Sequence, residues 1–250
     1  MLFFQKKKSI PIDLSWISTD MHSHLLPGID DGSPDIATSL ELIKGFQSLG
    51  YKKIITTPHV LWEIYPNTTE TILAKKEELR NEIAKAGIDI ELNAAAEYFI
   101  DDHFTEQLKN KIPLLPISGN MVLVEFSMIT APMDLQEVLF EMQMQNYQPV
   151  LAHPERYTYL GRKKEVLDQL KDAGCWFALN LLSLSGYYGE SVQQLADYIF
   201  KKGFYDLAGT DLHNERHLLQ LQKLPVSQID KLRDSGLIKN HLLLRPGAKK

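Results

Sequence analysis

A chain of 250 residues, 44% hydrophobic and carrying a net charge of −5, is long and apolar enough for one large α/β domain, and too apolar for a disordered polypeptide. The acidic balance argues against a nucleic-acid partner, which calls for a basic face. A single cysteine, Cys175, excludes an intrachain disulfide. No run reaches the roughly 20 apolar residues of a membrane span. The opening MLFFQKKKSIP sets Lys6, Lys7 and Lys8 after a very short apolar run, the reverse of a secretory leader, so the expectation is a cytoplasmic protein without stable membrane insertion. Residues 1–18 read as an N-terminal extension and 19–250 as a single domain.

The first strand-like segment, SWISTDM, runs into HSHLLPGIDDGS. Residues 35–49 carry apolar side chains at 36, 40, 42, 43, 46 and 49, the spacing of an amphipathic helix, with Ser33 or Asp35 as N-cap and Gly50 as stop. KKIITT follows as a strand ending at Pro58-His59, then a charged helix over 68–86 closed by Gly87. IDIELNAAAEY reads as a strand, and MVLVEFS as the most plainly buried one. A helix over 134–147, the strand QPVLAHPE, a helix over 163–173, the strand WFALNLL, a helix over 189–202 and the strand YDLAGTDLH complete the alternation before two or three short helices. Seven strand–helix alternations predict parallel strands with helical crossovers, in a closed or distorted (β/α) barrel. An open doubly wound sheet is the alternative, but no glycine-rich nucleotide fingerprint follows the first strand.

What ends each strand is chemically uniform. His22 and His24 end the first, His59 the second, Glu97 the third, Glu125 the fourth, His153 the fifth, and Asp211 with His213 the seventh, while Asp31 lies in the loop after the first. Asn180 ends the sixth strand and is not assigned a role. In a parallel barrel these ends share one face, where active sites are built. Imidazoles and carboxylates gathered there lose solvation and need a cation between them. Nine donors suit two or three divalent ions, and mixed N/O ligation without cysteine suits Mn²⁺, Fe²⁺ or Zn²⁺ over a structural zinc site. Taken singly, each residue has a plainer reading: a packed histidine, an ion-paired Glu125, an Asp31-Gly32 turn. Their joint placement favours the metal centre.

The ordered set DMHSH, TTPH, AAEY, LVEFS, LAHPERY and GTDLHN resembles the PHP (polymerase and histidinol phosphatase) superfamily. Within it, the DDG, EFS and AHPERY blocks are most similar to the bacterial PHP-type protein tyrosine phosphatases of capsular and exopolysaccharide clusters. The resemblance implies a distorted seven-stranded barrel and a trinuclear, typically manganese-dependent site on the same nine ligands. It makes Glu97 the bridging carboxylate, and Arg156 and Arg216 the phosphate-binding arginines. Asp31 is then the ligand of the DDG turn and Asp30 the turn former.

The chemistry implied is hydrolysis of a phosphomonoester, with a hydroxide between two ions attacking phosphorus in line. His59 or His213 is available to assist the phenolic leaving group through water. The implied substrate is a phosphotyrosine protein, a membrane-associated tyrosine autokinase of polysaccharide biosynthesis. A small-molecule phosphatase of histidinol-phosphate type, a phosphodiesterase module and a non-catalytic metal-binding scaffold are the alternatives. Cys175 lacks an arginine six positions on, where Leu181 stands, and reads as buried packing. Trp62, Tyr65, Tyr98, Phe99, Tyr157, Tyr159, Tyr187 and Tyr188 cluster near the same loops and suggest a slot for a tyrosine ring, or ordinary loop anchors.

Overall fold

The computed structural model describes residues 12–244; the Lys6–Lys8 arm lies outside them. In chain order the elements are β1 (Thr19–Asp20), α1 (Ile36–Ser48), β2 (Lys53–Thr56), β3 (His59–Val60), α2 (Thr69–Lys85), β4 (Glu91–Ala94), β5 (Glu97–Phe99), α3 (Asp102–Lys109), β6 (Met121–Glu125), α4 (Leu135–Met144), β7 (Gln148–Ala152), α5 (Glu165–Asp172), β8 (Trp176–Asn180), α6 (Glu190–Lys201), β9 (Tyr205–Gly209), α7 (Glu215–Leu221) and α8 (Val226–Asp234). All strand pairings within the sheets are parallel, in the orders β1-β2-β4 and β3-β5-β6-β7-β8-β9.

The seven expected strand segments are present, but two are broken. The chain leaves one sheet after Thr56 and joins the other at His59, and does so again between Ala94 and Glu97. The first break follows from contacts with the end of the first strand segment. Thr56 Oγ1 donates to the Ser23 carbonyl (2.8 Å) and accepts from the Leu25 amide (3.0 Å), while the Thr57 amide goes to Ser23 as well (2.7 Å). Pro58 has no amide hydrogen to continue a ladder. The result is a distorted barrel whose hydrogen-bonded ladder does not close.

Between the first and last segments a parallel bridge, Ser23 to Leu212, and side chains replace the ladder. Asp20 Oδ1 accepts from the Thr210 amide (2.9 Å). Asn240, in the 3₁₀ turn Asn240–Leu244, accepts from the Ala208 amide (3.0 Å) and donates to the carbonyls of Thr19 (2.9 Å) and Ala208 (2.7 Å).

Alternation along the strands separates two apolar layers. Ile55, Ala95, Leu123, Val150, Ala152, Ala178 and Leu207 fill the inside of the barrel. Ile54, Val122, Val124, Leu151, Phe177, Leu179 and Ala208 face the helices. Parallel strands covered on both faces carry apolar residues at both parities, which is why MVLV reads as a continuous run. The inner parity continues to His59, Glu97 and Glu125 at the strand ends. Ile12, Leu14 and Ile17 are buried in the outer layer, and the Leu14 amide bonds to the Leu49 carbonyl (2.8 Å), so the packed unit includes residues ahead of 19.

Candidate metal centre

The nine candidate ligands converge. Their donor atoms fall into four overlapping groups: His24, Asp31, His59 and His213; His22, His24 and Asp211; His22, Glu97 and His153; and His59, Glu97 and Glu125. Glu97 sits at the centre, fully buried. Its Oε1 lies 3.1 Å from His22 Nε2 and 3.3 Å from His153 Nε2. Its Oε2 lies 3.1 Å from His59 Nδ1 and 3.4 Å from His24 Nε2. Yet neither carboxylate oxygen accepts a hydrogen bond from the described residues, and the Nδ1 atoms of His59 and His153 are also without one.

Lone pairs directed at one another across about 3 Å, in a dry place, are a costly arrangement unless cations or protons lie between them. The donor set therefore fits divalent metal ions: imidazole and carboxylate, no thiolate, and more donors than one ion takes.

Local backbone geometry aims these side chains. After β7, Val150 and Ala152 face inward and Leu151 outward, so alternation would send His153 toward the helices. A left-handed backbone at His153 (φ 35°) interrupts the alternation, and Asp211 after β9 is left-handed too (φ 50°). Non-glycine residues pay a strain of order 1 kcal/mol for that conformation, which the surrounding hydrogen bonds must hold in place. At Asp211 the amide donates to the His22 carbonyl (2.7 Å). The loop 27–33 returns onto the first strand end, with the Ser33 amide on the His24 carbonyl (3.0 Å). Gly32 is required there: a Cβ would overlap the His24 carbonyl oxygen and Cβ.

A second layer fixes the ligands. Asp30 does form the turn, accepting from the Gly32 amide (3.0 Å), but its other oxygen accepts from His24 Nδ1 (2.8 Å) and the His59 amide (3.2 Å). That contact places the proton of His24 on Nδ1 and turns Nε2 to the cluster. Asp211 is held similarly: its Oδ2 accepts from Arg156 (2.7 Å) and from Asn180 Nδ2 (3.0 Å), leaving Oδ1 about equally distant from His22, His24 and His213, 3.4 Å each. Asn180 is placed in turn by the buried Glu155, which accepts from its amide (2.9 Å), from Ser183 Oγ (2.7 Å) and from Tyr205 (3.0 Å). The sequence shows Asp30 only as a turn former and gives Asn180 and Glu155 no role, although Glu155 lies within the LAHPERY block and Asn180 at a strand end.

The electrostatics report the same crowding. Burial pulls the pKa of His24 down, but Asp30, Asp211 and Glu97 outweigh it and hold the imidazole well above its usual value. Burial pushes Glu97 up, but the facing His22 and His59 hold it well below the carboxylate range. The hydrogen bond from His213 leads in bringing Asp31 down to about 2. Asp31 is the most exposed member, its side chain 53% accessible at the mouth of the site.

Over the cluster lies a cavity of about 400 Å³, walled by Asp31, His59, Glu125, Met128, His153, Arg156, Tyr188, Asp211, His213, Asn214 and His217. Arg156 is brought to the ligands, its guanidinium 4.6 Å from the Tyr188 ring centre. Arg216 is not: it is exposed on the first turn of α7, near Tyr187 (5.7 Å), and His217 lines the cavity in its stead.

Of the expected aromatic slot, Tyr188 alone among the named rings lines this cavity. Trp62 stacks on His103 (4.1 Å), Tyr65 on His59 (5.7 Å), and Tyr187 sits against Tyr188 (4.9 Å). The hydroxyls of Tyr98, Tyr157 and Tyr159 bind the backbone at Leu115, Phe126 and Ser127, and Phe99 borders a separate surface pocket. Most of the rings are loop anchors. Cys175 is buried, and burial pushes its thiol up to about 12, so it is no nucleophile.

A parallel barrel broken at two strands, with imidazoles and carboxylates converging at its strand ends, defines a barrel of the metal-centre class. Residues 18–231 match the family model described as capsular polysaccharide synthesis, CpsB/CapC, and the chain belongs to that family. It is 30% identical to CapC of Staphylococcus aureus over 197 residues, 78% of this chain and 76% of that protein. It is 26% identical to the tyrosine-protein phosphatase YwqE of Bacillus subtilis (78% of this chain, 77% of that one), and 27% identical to the tyrosine-protein phosphatase CpsB of Streptococcus pneumoniae (78% and 82%). The fold matches that of the crystal structures of YwqE and CpsB, described as unique metal-dependent tyrosine phosphatases, with a TM-score of 0.78 at 24% identity over 93% of this chain and 96% of the other. A more distant fold match is the histidinol phosphate phosphatase of Lactococcus lactis, solved with zinc, L-histidinol and phosphate (TM-score 0.51, 14% identity, 87% and 93% covered). Among the described residues no helix is long and apolar enough to cross a membrane.

Proposed function

We propose that this chain is a metal-dependent protein tyrosine phosphatase. The observation that carries the reading is the convergence of nine metal-ligating side chains on the buried, unpartnered Glu97 carboxylate, beneath a cavity that contains an arginine. His22, His24, Asp31, His59, Glu97, Glu125, His153, Asp211 and His213 would hold two or three divalent ions, manganese by preference, with iron or zinc as the other metals of suitable ligation. Ions bound there supply Lewis acidity toward the phosphoryl oxygens and lower the pKa of water.

The chain's own residues supply the rest. Arg156 spends one N–H on Asp211, and its fork has further donors for phosphoryl oxygens, offsetting their charge as the bond to the leaving oxygen breaks. Asp30 and the Asn180–Arg156 pair keep His24 and Asp211 in one orientation, so little reorganisation accompanies the reaction. A tyrosine leaving group has a pKa of about 10, which places the demand on phosphoryl binding more than on protonation. The relatives' names point to phosphotyrosine, and the family to capsular polysaccharide synthesis, so the substrate we infer is a phosphotyrosine-bearing, membrane-associated autokinase of that process, met from the cytoplasm.

The test joins metal analysis of the purified chain to assays on phosphotyrosine peptides and histidinol phosphate, each with manganese, iron or zinc. Two or three ions per chain and turnover of the peptides are expected. Fewer than two ions under metal-replete conditions, or turnover of histidinol phosphate alone, would overturn the reading. His22→Ala and Asp211→Ala should each abolish hydrolysis without loss of the circular-dichroism signal. Thiol alkylation at pH 8 should leave activity unchanged.

A further inference from the structure

Four polar side chains line the cavity without belonging to the donor cluster: Arg156, Tyr188, Asn214 and His217. Asn214 is committed to α7 as its N-cap, accepting from the His217 amide (3.1 Å). The Tyr188 hydroxyl accepts from Asn180 (3.1 Å) and Arg156 is paired with Asp211. His217 is different. Its Nδ1 is turned to the backbone, where the His213 amide reaches it at 3.4 Å and has no other acceptor among the described residues. The Asp211 carbonyl is 3.3 Å from the same nitrogen, but that oxygen has another donor in His213 Nδ1 at 2.9 Å, whereas the His213 amide has no second acceptor among the described residues. Satisfying the His213 amide puts the lone pair of His217 on Nδ1 and its proton on Nε2. Nε2 has no partner among the described residues.

The rings of His24, His213 and His217 lie in succession leading away from the cluster, 3.9 Å and then 5.6 Å between centres. His217 is thus one layer further out than the ligands, edge-on to Tyr187 (5.4 Å) and Tyr188 (6.4 Å). In an in-line displacement the phosphoryl group occupies the inner position, and the leaving oxygen points outward.

We propose that His217 Nε2–H donates a hydrogen bond to the phenolic oxygen of the departing tyrosine. This rests on the phosphatase reading above. As the oxygen of water bonds to phosphorus, the P–O bond to tyrosine breaks and its electron pair passes to the phenolic oxygen. The imidazole keeps its proton and stabilises that oxygen until the proton given up by the attacking water reaches it through solvent. His217 takes the task assigned from the sequence to His59 or His213, both of which are turned into the cluster.

The experiment compares kcat/KM of the manganese-loaded chain and its His217→Ala and His217→Gln variants on phosphotyrosine peptide, phenyl phosphate and 4-nitrophenyl phosphate. Loss of a hydrogen-bond donor to the charged leaving oxygen should cost about 10- to 100-fold on the first two. On 4-nitrophenyl phosphate, whose phenolate departs without help, the loss should stay under about 3-fold. Glutamine, which keeps an N–H donor, should restore part of the difference. Equal losses on all three esters, at equal metal content, would mean that His217 only shapes the site, and would overturn the proposal. So would ¹⁵N-histidine spectra of the metal-free and zinc-loaded chain that put the His217 proton on Nδ1. Wild-type chain that cleaves none of the three would overturn the phosphatase reading itself and this proposal with it, whereas a uniform loss leaves that reading standing.

Discussion

At the scale of single residues, the site separates groups that touch the ions' positions from groups that aim them. Asp30 is the sharpest case, since one carboxylate closes a turn and orients His24. Asp30→Asn keeps the volume and the turn-forming oxygen but weakens the charge-assisted bond. Loss of such an outer partner reduces metal affinity or activity about 10- to 100-fold. Titration of the chelated protein with Mn²⁺ should show that loss with the secondary structure unchanged, and wild-type affinity would refute the role. The candidate donors are legible because their chemical types recur at strand ends; alternation fixes the direction of His59, Glu97 and Glu125, whereas His153 and Asp211 need a left-handed backbone that the sequence does not show. Asp30 reads as a turn former, and is one, but the sequence does not show the contact from its other oxygen to a ring nitrogen across the turn. Arg216 follows closely on the TDLHN block, but successive helical residues differ by about 100° in direction. With Leu218 and Leu221 buried, that rotation puts His217 on the inner flank of α7 and Arg216 in solvent.

At the scale of elements, helix positions followed from capping and periodicity. Asp35 caps α1 and Thr68 caps α2, and both helices fall within the expected ranges. Helix α3 was missed, since eight residues with only Phe104 and Leu108 buried carry too little periodic signal. The breaks in the second and third strand segments are not legible either; at the second segment the partners are distant in sequence, Ser23 and Leu25 acting on Thr56. The loop 27–33 shows how tightly such an element is specified. Gly32 lies against the His24 backbone with no room for a methyl group. Gly32→Ala forces the loop off the strand end, an overpacking cost of about 1–3 kcal/mol, and moves Asp30 and Asp31 together. Urea unfolding should show the lower stability, and metal titration a weaker site. A stable variant with full metal affinity would show that the loop reaches the site by another route.

At the scale of the whole molecule, the metal centre and the barrel seam are parts of one problem, because the first and last strands that carry His22, His24, Asp211 and His213 are not joined by a continuous ladder. Ions that bind only the folded chain should stabilise it by about 2.7 kcal/mol each at one hundred times their dissociation constant. For a chain of this size each ion then raises Tm by about 5–10 °C when Mn²⁺ replaces a chelator. Below the ions, the seam depends on Asn240, which is 1% exposed and spans from Thr19 to Ala208 with three hydrogen bonds. It lies beyond residue 231, where the family match ends, so the closure of this barrel draws on a segment outside the matched range. Nothing in the sequence marked it, since an asparagine in a polar tail is ordinary and its partners are some 30 and 220 positions away. Asn240→Ala strands a buried amide and two buried carbonyls. Each unpaired group costs about 1–3 kcal/mol, less where water enters, so a loss of about 2–4 kcal/mol is expected in urea unfolding. No atom of Asn240 belongs to the donor groups, so metal content and kcat of the folded variant should stay near wild type. An unchanged urea midpoint would mean that the Ser23–Leu212 bridge and Asp20 hold the seam without it. A normal midpoint shift accompanied by lost metal would mean that the seam sets the spacing between the first and last ligands, and that the barrel closes around its ions rather than before them.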